Sequence, residues 1–341
     1  MPSPGDGHCL MAAVASIEGI RHPFVAALRI LGVALVYYAG ASIGTLKGVV
    51  RAEGTAISPL WPPTGIALAA LLLLGIGIWP GITLGTLFTL VTQAPLTATA
   101  VGIMAGNTLA PVCSYLLLRR VGFRIELDRL RDGMALVFLG ALTGMLISAT
   151  AGAGIQLLNG KLPEGFQLAW LAWWTGDAMG VLVVTPFLLL VCRVRLPLRT
   201  HRWPEATALV LAAAVITPLA ITRSLTLIFL FFPVLIWAAL RFQLAGSAPY
   251  ALLVSVLAIF EAGERYGAFA EHTLMERLVS LQLLNGAVAL TSLLLAATVA
   301  EQKNIRQKLQ QACDELAAVV ERLAPRQMPV LPPQDGDENS T

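Results

Sequence analysis

Residues 168–192 read LAWLAWWTGDAMGVLVVTPFLLLVC, an apolar run holding one charged side chain, Asp177. A helix needs about 20 apolar residues to cross the hydrocarbon layer of a bilayer, so this stretch predicts a membrane-spanning helix. Asp177 then lies about 15 Å along it, near mid-bilayer, at the usual helical rise. An ionised carboxylate there costs about 2.5–3.5 kcal/mol on insertion scales, so the side chain has to be neutral, paired or turned to a polar cavity. One reading makes it a functional group. The other makes it interhelical glue, hydrogen-bonded to a neighbour such as the helix carrying Asn107.

The same character extends outward over the whole chain. Of 341 residues, 57% are hydrophobic and 13% charged, against about 25% charged in soluble domains; there is too little polar surface for a water-soluble enzyme, a nucleic-acid binder or a secreted disulfide scaffold. Apolar segments at 24–42, 57–74, 76–92, 99–118, 133–158, 168–192, 206–222, 224–240, 245–263 and 279–300 predict an all-α polytopic integral membrane bundle of about ten spans. Pro59, Pro62, Pro63 and Pro80 interrupt the second and third, and proline removes a backbone donor and restricts its predecessor. Eight spans plus a re-entrant hairpin is therefore the alternative, and it leaves both termini on one side.

Charge placement orients this bundle. Of the 23 Lys and Arg residues, only Lys47, Arg51, Lys161, Arg223, Arg265 and Arg277 fall on the side away from the termini, so the positive-inside rule puts both termini in the cytoplasm. The arginines thus follow topology, and Glu126, Asp128 and Asp132 interrupt their first cluster; no nucleic-acid partner is expected. The stretch 261–277 is expected to be the largest outer loop. Residues 1–22, without a basic n-region, are expected to form a disordered cytoplasmic leader.

Two motifs stand out within the spans. Ser58-Pro59-Leu60-Trp61-Pro62-Pro63-Thr64-Gly65, followed by the turn Trp79-Pro80-Gly81, is too rich in proline and glycine for an ordinary span. Broken helices at membrane depth require protein or a water-lined cavity to satisfy the freed backbone, and such breaks form ligand or ion pockets. The plainer reading is a kinked helix start with Trp61 and Trp79 as interfacial anchors. The second motif is 170–180, with Trp173, Trp174, Gly176 and Asp177. Two further segments, Ala105-Gly106-Asn107 and 148–154 with Gly152 and Gly154, read as close-packing faces.

After the last span the chain turns polar. Ile305, Leu309, Ala312, Leu316, Val319 and Leu323 recur at alternating spacings of 4 and 3, an a/d seam of about three heptads. It predicts a parallel coiled coil over 301–324, paired with a second copy, before Pro325 and a polar, proline-rich tail over 325–341 that is expected to be disordered. The transmembrane domain is 23–300. A lone amphipathic helix on the membrane surface is the alternative, disfavoured by Glu315 and Glu321 on the polar face.

No enzymatic constellation emerges: GxxxxGK[ST] and HExxH are missing from the sequence, and no nucleophile elbow is expected within an apolar span, so no catalytic residue is assigned. His272 and Glu276 stand four apart without a third ligand, and Cys9, Cys113, Cys192 and Cys313 show no CxxC spacing. Neither a metal nor a cofactor is expected.

With Trp61-Pro62-Pro63-Thr64-Gly65, Trp79-Pro80-Gly81, Gly106-Asn107-Thr108-Leu109, Trp173-Trp174-Thr175-Gly176-Asp177-Ala178-Met179-Gly180, Pro186 and Trp237-Ala238-Ala239-Leu240-Arg241-Phe242 in order, the chain resembles the membrane-associated sensor domain of bacteria, first MASE class, over about 24–301. The resemblance implies sensory input for membrane histidine kinases, diguanylate cyclases and related regulators. It makes Trp61, Pro62, Pro63, Gly65, Asn107, Trp173, Trp174, Gly176 and Asp177 structural or sensing candidates. No PAS, kinase or GGDEF-type pattern follows Leu323, so the expectation is either output in trans or a truncated relative of the family, with a homodimer through the C-terminal helix, in the bacterial inner membrane. The rival expectations are a small-solute transporter or channel, or a scaffolding subunit.

Overall fold

The computed structural model describes residues 6–46, 50–52, 55–93, 97–160, 165–193, 203–223, 229–264 and 274–323. Apolar residues in a bilayer must satisfy their own backbone, which a helix does within one segment, and the described residues are accordingly mostly helical, the rest being one short hairpin, the extended stretch before α2 and turns between helices. Helix α1 (Asp6–Leu46) precedes strands β1 (Val50–Ala52) and β2 (Thr55–Ile57), which pair antiparallel with Arg51 opposite Ala56. Then come α2 (Pro62–Leu74), a 3-10 turn (Ile76–Ile78), α3 (Trp79–Gln93) and α4 (Ala98–Arg120). Helix α5 (Leu130–Ala135) runs through a π-helix (Leu136–Thr143) toward α6 (Leu146–Leu158); α7 (Phe166–Met179) likewise runs through a π-helix (Gly180–Val184) into α8 (Thr185–Val191). Helices α9 (Trp203–Arg223), α10 (Phe231–Phe242), α11 (Leu244–Glu264) and α12 (Leu274–Leu323) are the last of the described elements.

The expected polytopic bundle is therefore observed. Among the described residues, eight helical stretches are long and apolar enough to span a membrane, while Pro62–Leu74 and Phe231–Phe242 are shorter apolar helices. The 13 residues of α2 cover only about 20 Å, less than the hydrocarbon thickness. Its brevity has visible causes: Pro62 and Pro63 fill its first turn, where a missing N–H costs nothing, and Gly75 ends it at φ 86°, a conformation glycine alone adopts without strain.

Some boundaries differ from those read in the sequence. Helix α1 begins at Asp6, inside the stretch expected as a leader, because Met11, Ala12, Ala13 and Ala15 are strong helix formers. The expected outer loop is shorter than 261–277: α11 runs to Glu264 and α12 starts at Leu274. His272 and the tail lie outside the described residues.

Two thirds of the span Phe166–Val191 is buried, against 22% for Trp203–Ala220, so the helix carrying Asp177 is the centre of the bundle and α9 is peripheral. Val210, Leu211 and Val215 on α9 are exposed, as a lipid-facing surface must be. Close approaches inside the bundle use small residues in place of a hydrophobic driving force. A Cβ on Gly85 of α3 would stand 2.7 Å from Tyr37 of α1, and one on Gly106 of α4 would stand 2.6 Å from Ala151 of α6.

Contacts divide the chain between Ala300 and Glu301. In the second unit the helix ends at Leu323, and the side chains of Ile305, Leu309, Ala312, Leu316 and Val319 are exposed.

Candidate sensory site around Asp177

The stretch before α2 is extended, with Trp61 at φ −109° and ψ 91°, and it lies against α7. The Trp61 N–H donates to the Gly176 carbonyl at 3.0 Å, which returns a partner to backbone that no helix satisfies. Three glycines admit this contact. A Cβ on Gly176 would stand 2.5 Å from the Ser58 carbonyl oxygen; one on Gly180 would overlap the Trp61 carbonyl, and one on Gly65 the Gly180 carbonyl. The spacing of glycines in both motifs thus has one cause, backbone packed on backbone between α2 and α7.

That approach brings Thr64 over Asp177. The Thr64 hydroxyl donates to Asp177 Oδ1 at 2.7 Å, and the Ser148 hydroxyl from α6 donates to Oδ2 at 2.5 Å. Asp177 is 3% exposed, and the Trp173 side chain is a further hydrogen-bonding neighbour. Trp173 is held in turn by α6, where Gly152 leaves room for its ring: a Cβ there would stand 2.6 Å away. A carboxylate that accepts from two or three donors is stabilised where bare burial would expel it.

A second layer reaches α1, α3 and α4. The Tyr37 hydroxyl, buried on α1, has Thr86, Trp61 and Asn107 as hydrogen-bonding neighbours. Asn107 therefore joins the site through Tyr37, whereas the direct partners of Asp177 are Thr64 and Ser148. Trp61 is half-buried against Tyr37; Trp79 is exposed, as an interfacial anchor would be. Trp174 turns elsewhere, donating through Nε1 to the Leu142 carbonyl at 2.8 Å and stacking on Trp170 at 5.7 Å.

Both π-helices adjoin this centre. In the first, side chains from other helices reach its carbonyls: Ser114 donates to Gly140 O at 2.9 Å, and Trp174 to Leu142 O. The second begins three residues after Asp177, and Thr185 at its end donates to the Gly65 carbonyl at 3.1 Å. Wide turns of this kind inside α-helices concentrate at functional positions. Tyr37, Thr64, Thr86, Ser148 and Thr185 had not been singled out in the sequence as site residues. Thr64 sits in the WPPTG motif and Ser148 in the supposed packing face, so position within a motif was their only available signal.

A cavity of about 300 Å³ lies elsewhere, lined among others by Glu126, Asp128, Arg193, Gln243 and Ala296. Arg193 pairs with Glu126 at 2.9 Å and Arg124 with Asp128 at 3.5 Å, so the charges on its rim compensate one another. Leu127 and Gln243, the non-glycine residues with positive φ among the described residues, both line it. Asp132, a second buried acid, accepts from the Arg124 N–H at 3.2 Å beside it.

These features define a polytopic helical membrane protein whose central helix carries a buried, hydrogen-bonded carboxylate. Residues 29–303 match the family model described as MASE1. The chain belongs to this family of membrane-associated sensor domains, which is sensory and not catalytic. No curated protein and no solved structure matches the chain. Among the described residues no group of three or more His, Cys, Asp or Glu could hold a metal ion.

Proposed function

We propose that the protein is the sensory input module of a bacterial signalling system, relaying a stimulus from the Asp177 centre through α12 and the 301–324 coil to an output partner in trans. The observation that carries this reading is the shared hold on Asp177: Thr64 from the broken helix and Ser148 from α6 meet on one carboxylate next to a π-helix. A change in that carboxylate's charge or hydrogen bonds alters the packing of three helices together. Coupling of this type is typically worth about 1–3 kcal/mol, and a charge moved across the whole membrane field about 2.3 kcal/mol per 100 mV.

On this reading both termini are cytoplasmic, the membrane is the bacterial inner membrane, and the exposed seam of Ile305, Leu309, Leu316 and Val319 pairs with a second copy. A histidine kinase or diguanylate cyclase is the expected output partner. The test is disulfide trapping of the Leu316→Cys variant, in a background without the native cysteines, across vesicles under imposed pH steps and membrane potentials. Trapping should change with the stimulus in the otherwise native protein and become insensitive in Asp177→Asn. If Asp177→Asn preserves every response, the centre is not the input. A transporter or channel is the competing reading, favoured by the same broken helix. Stimulus-independent solute flux through proteoliposomes of the purified chain would establish it instead.

A further inference from the structure

The seam between α11 and α12 is built on two contacts. Arg277 Nη1 donates to the Ala262 carbonyl at 3.1 Å, and the Ser247 hydroxyl donates to the Ser292 carbonyl at 3.3 Å. The first contact satisfies a carbonyl in the last turn of α11, where intrahelical donors run out. Both fall on one antiparallel register, each step along α11 matched by one step back along α12. The same register sets Ser255 level with Leu284 and Asn285.

At that level the seam is polar and unsatisfied. Asn285 and Ser255 are fully buried, and neither amide atom of Asn285 nor the Ser255 hydroxyl finds a hydrogen-bond partner among the described residues. One turn away on α12, the buried Gln282 Oε1 is likewise unpartnered. Buried polar side chains are nearly always hydrogen-bonded, and those that are not call for a specific explanation. Leaving four such atoms dry would cost far more than interhelical packing needs, since leucine would pack there without loss. Next to Asn285 the helix is not held tightly: around the Cβ position of Gly286 only Met179 Cε comes within 4 Å, at 3.9 Å.

We propose that Asn285, Ser255 and Gln282 form a binding site inside the bundle for a small uncharged solute that carries both a hydrogen-bond donor and an acceptor. The donor set dictates this chemistry. A primary amide offers N–H and C=O together, a hydroxyl does both, and Gln282 adds an acceptor. Charge is excluded by the surroundings. Neither α11 between Leu244 and Phe260 nor α12 between Leu278 and Ala300 has a charged side chain, Arg277 is committed to Ala262 about 12 Å up the helix, and Asp177 is committed to Thr64 and Ser148. The site lies on the helix that the sensory reading makes the output, and for that role it rests on the sensory reading; binding itself does not depend on it.

The experiment uses the full chain in lipid nanodiscs, with Cys9, Cys113, Cys192 and Cys313 replaced by serine, and neutral methyl methanethiosulfonate as the thiol probe. Ser255→Cys is compared with Ser247→Cys, equally buried on the same helix but hydrogen-bonded across the seam. The Ser255→Cys thiol should react several-fold faster, and acetamide should slow it where acetate and tetramethylammonium do not. Asn285→Ala should weaken acetamide protection by about tenfold, as loss of the paired amide contacts predicts, with Gln282→Leu as a second variant on the less buried face. Equal reaction at the two positions overturns the site. Fast reaction that acetamide leaves unchanged also overturns it, since water alone then reaches Ser255. Either failure leaves the stimulus-dependent trapping of the coil as a separate question.

Discussion

Replacing Gly180 with alanine isolates the contact on which the Asp177 centre is built. Gly180 is helical, at φ −54° and ψ −46°, so its backbone accepts alanine, and in an open helix the change would stabilise by about 0.5–1 kcal/mol. Here the new methyl meets the Trp61 carbonyl group, whose carbon would stand 2.9 Å away. The neighbour is backbone tied down by the Trp61 to Gly176 hydrogen bond, so it cannot swing aside as a side-chain end would. Overpacking a tight site costs about 1–3 kcal/mol, and losing that hydrogen bond about 0.5–1.5 kcal/mol more. After the helical gain, Gly180→Ala should destabilise by about 2 kcal/mol. Gly154→Ala is the matched control, a helical glycine with nothing within 4 Å of its Cβ position, and it should be neutral or stabilising. Equilibrium unfolding in mixed detergent micelles, followed by tryptophan fluorescence, reads both. Equal effects of the two substitutions, or a Gly180→Ala protein as stable as wild type, would refute the backbone-on-backbone account of the motif.

Asp177→Leu should cost about 1–3 kcal/mol in the same assay, because two buried hydroxyls lose their shared acceptor, while Asp177→Asn should cost less, since its amide oxygen still accepts from one of them. Double-mutant cycles between Thr64→Val and Asp177→Asn, and between Ser148→Ala and Asp177→Asn, should each give a coupling of at least about 0.5 kcal/mol; additivity would separate those residues from the site. Disulfide trapping in membranes should be efficient for Leu309→Cys and Leu316→Cys and weak for Asp314→Cys, which lies off the seam, with efficient trapping at all three arguing against a heptad pair. The exposed ion pair of Arg241 with Glu205 joins α9 to α10, and Arg241→Gln should cost less than about 1 kcal/mol; a larger loss would show that the pair organises the periphery.

Much of this architecture follows from one-dimensional pattern. Apolar run length sets the helices and their order, because a bilayer admits no alternative use of an apolar segment that must satisfy its own backbone. Pro62, Pro63, Gly65, Gly176 and Asp177 stood out because proline, glycine and acid are costly within a span, and cost is visible in sequence alone. Ser148, Thr64 and Tyr37 were not visible in the same way. Serine and threonine inside a membrane helix can bond the preceding turn of their own helix, as Thr86 does to Ile82 O, so their presence implies nothing until a partner comes within reach.

What the sequence by itself determined, then, is the membrane bundle, the place of its breaks and the depth of its one central acid. Tertiary structure decided what that acid touches: three glycines let the Trp61 segment settle on α7, and that settling delivers Thr64 from one helix while α6 delivers Ser148 from another. It also decided which residues bond between α11 and α12, Arg277 to Ala262 and Ser247 to Ser292. Hydrophobicity and cost are properties of a residue and its chain neighbours, whereas a hydrogen bond between helices depends on a register that only packing sets.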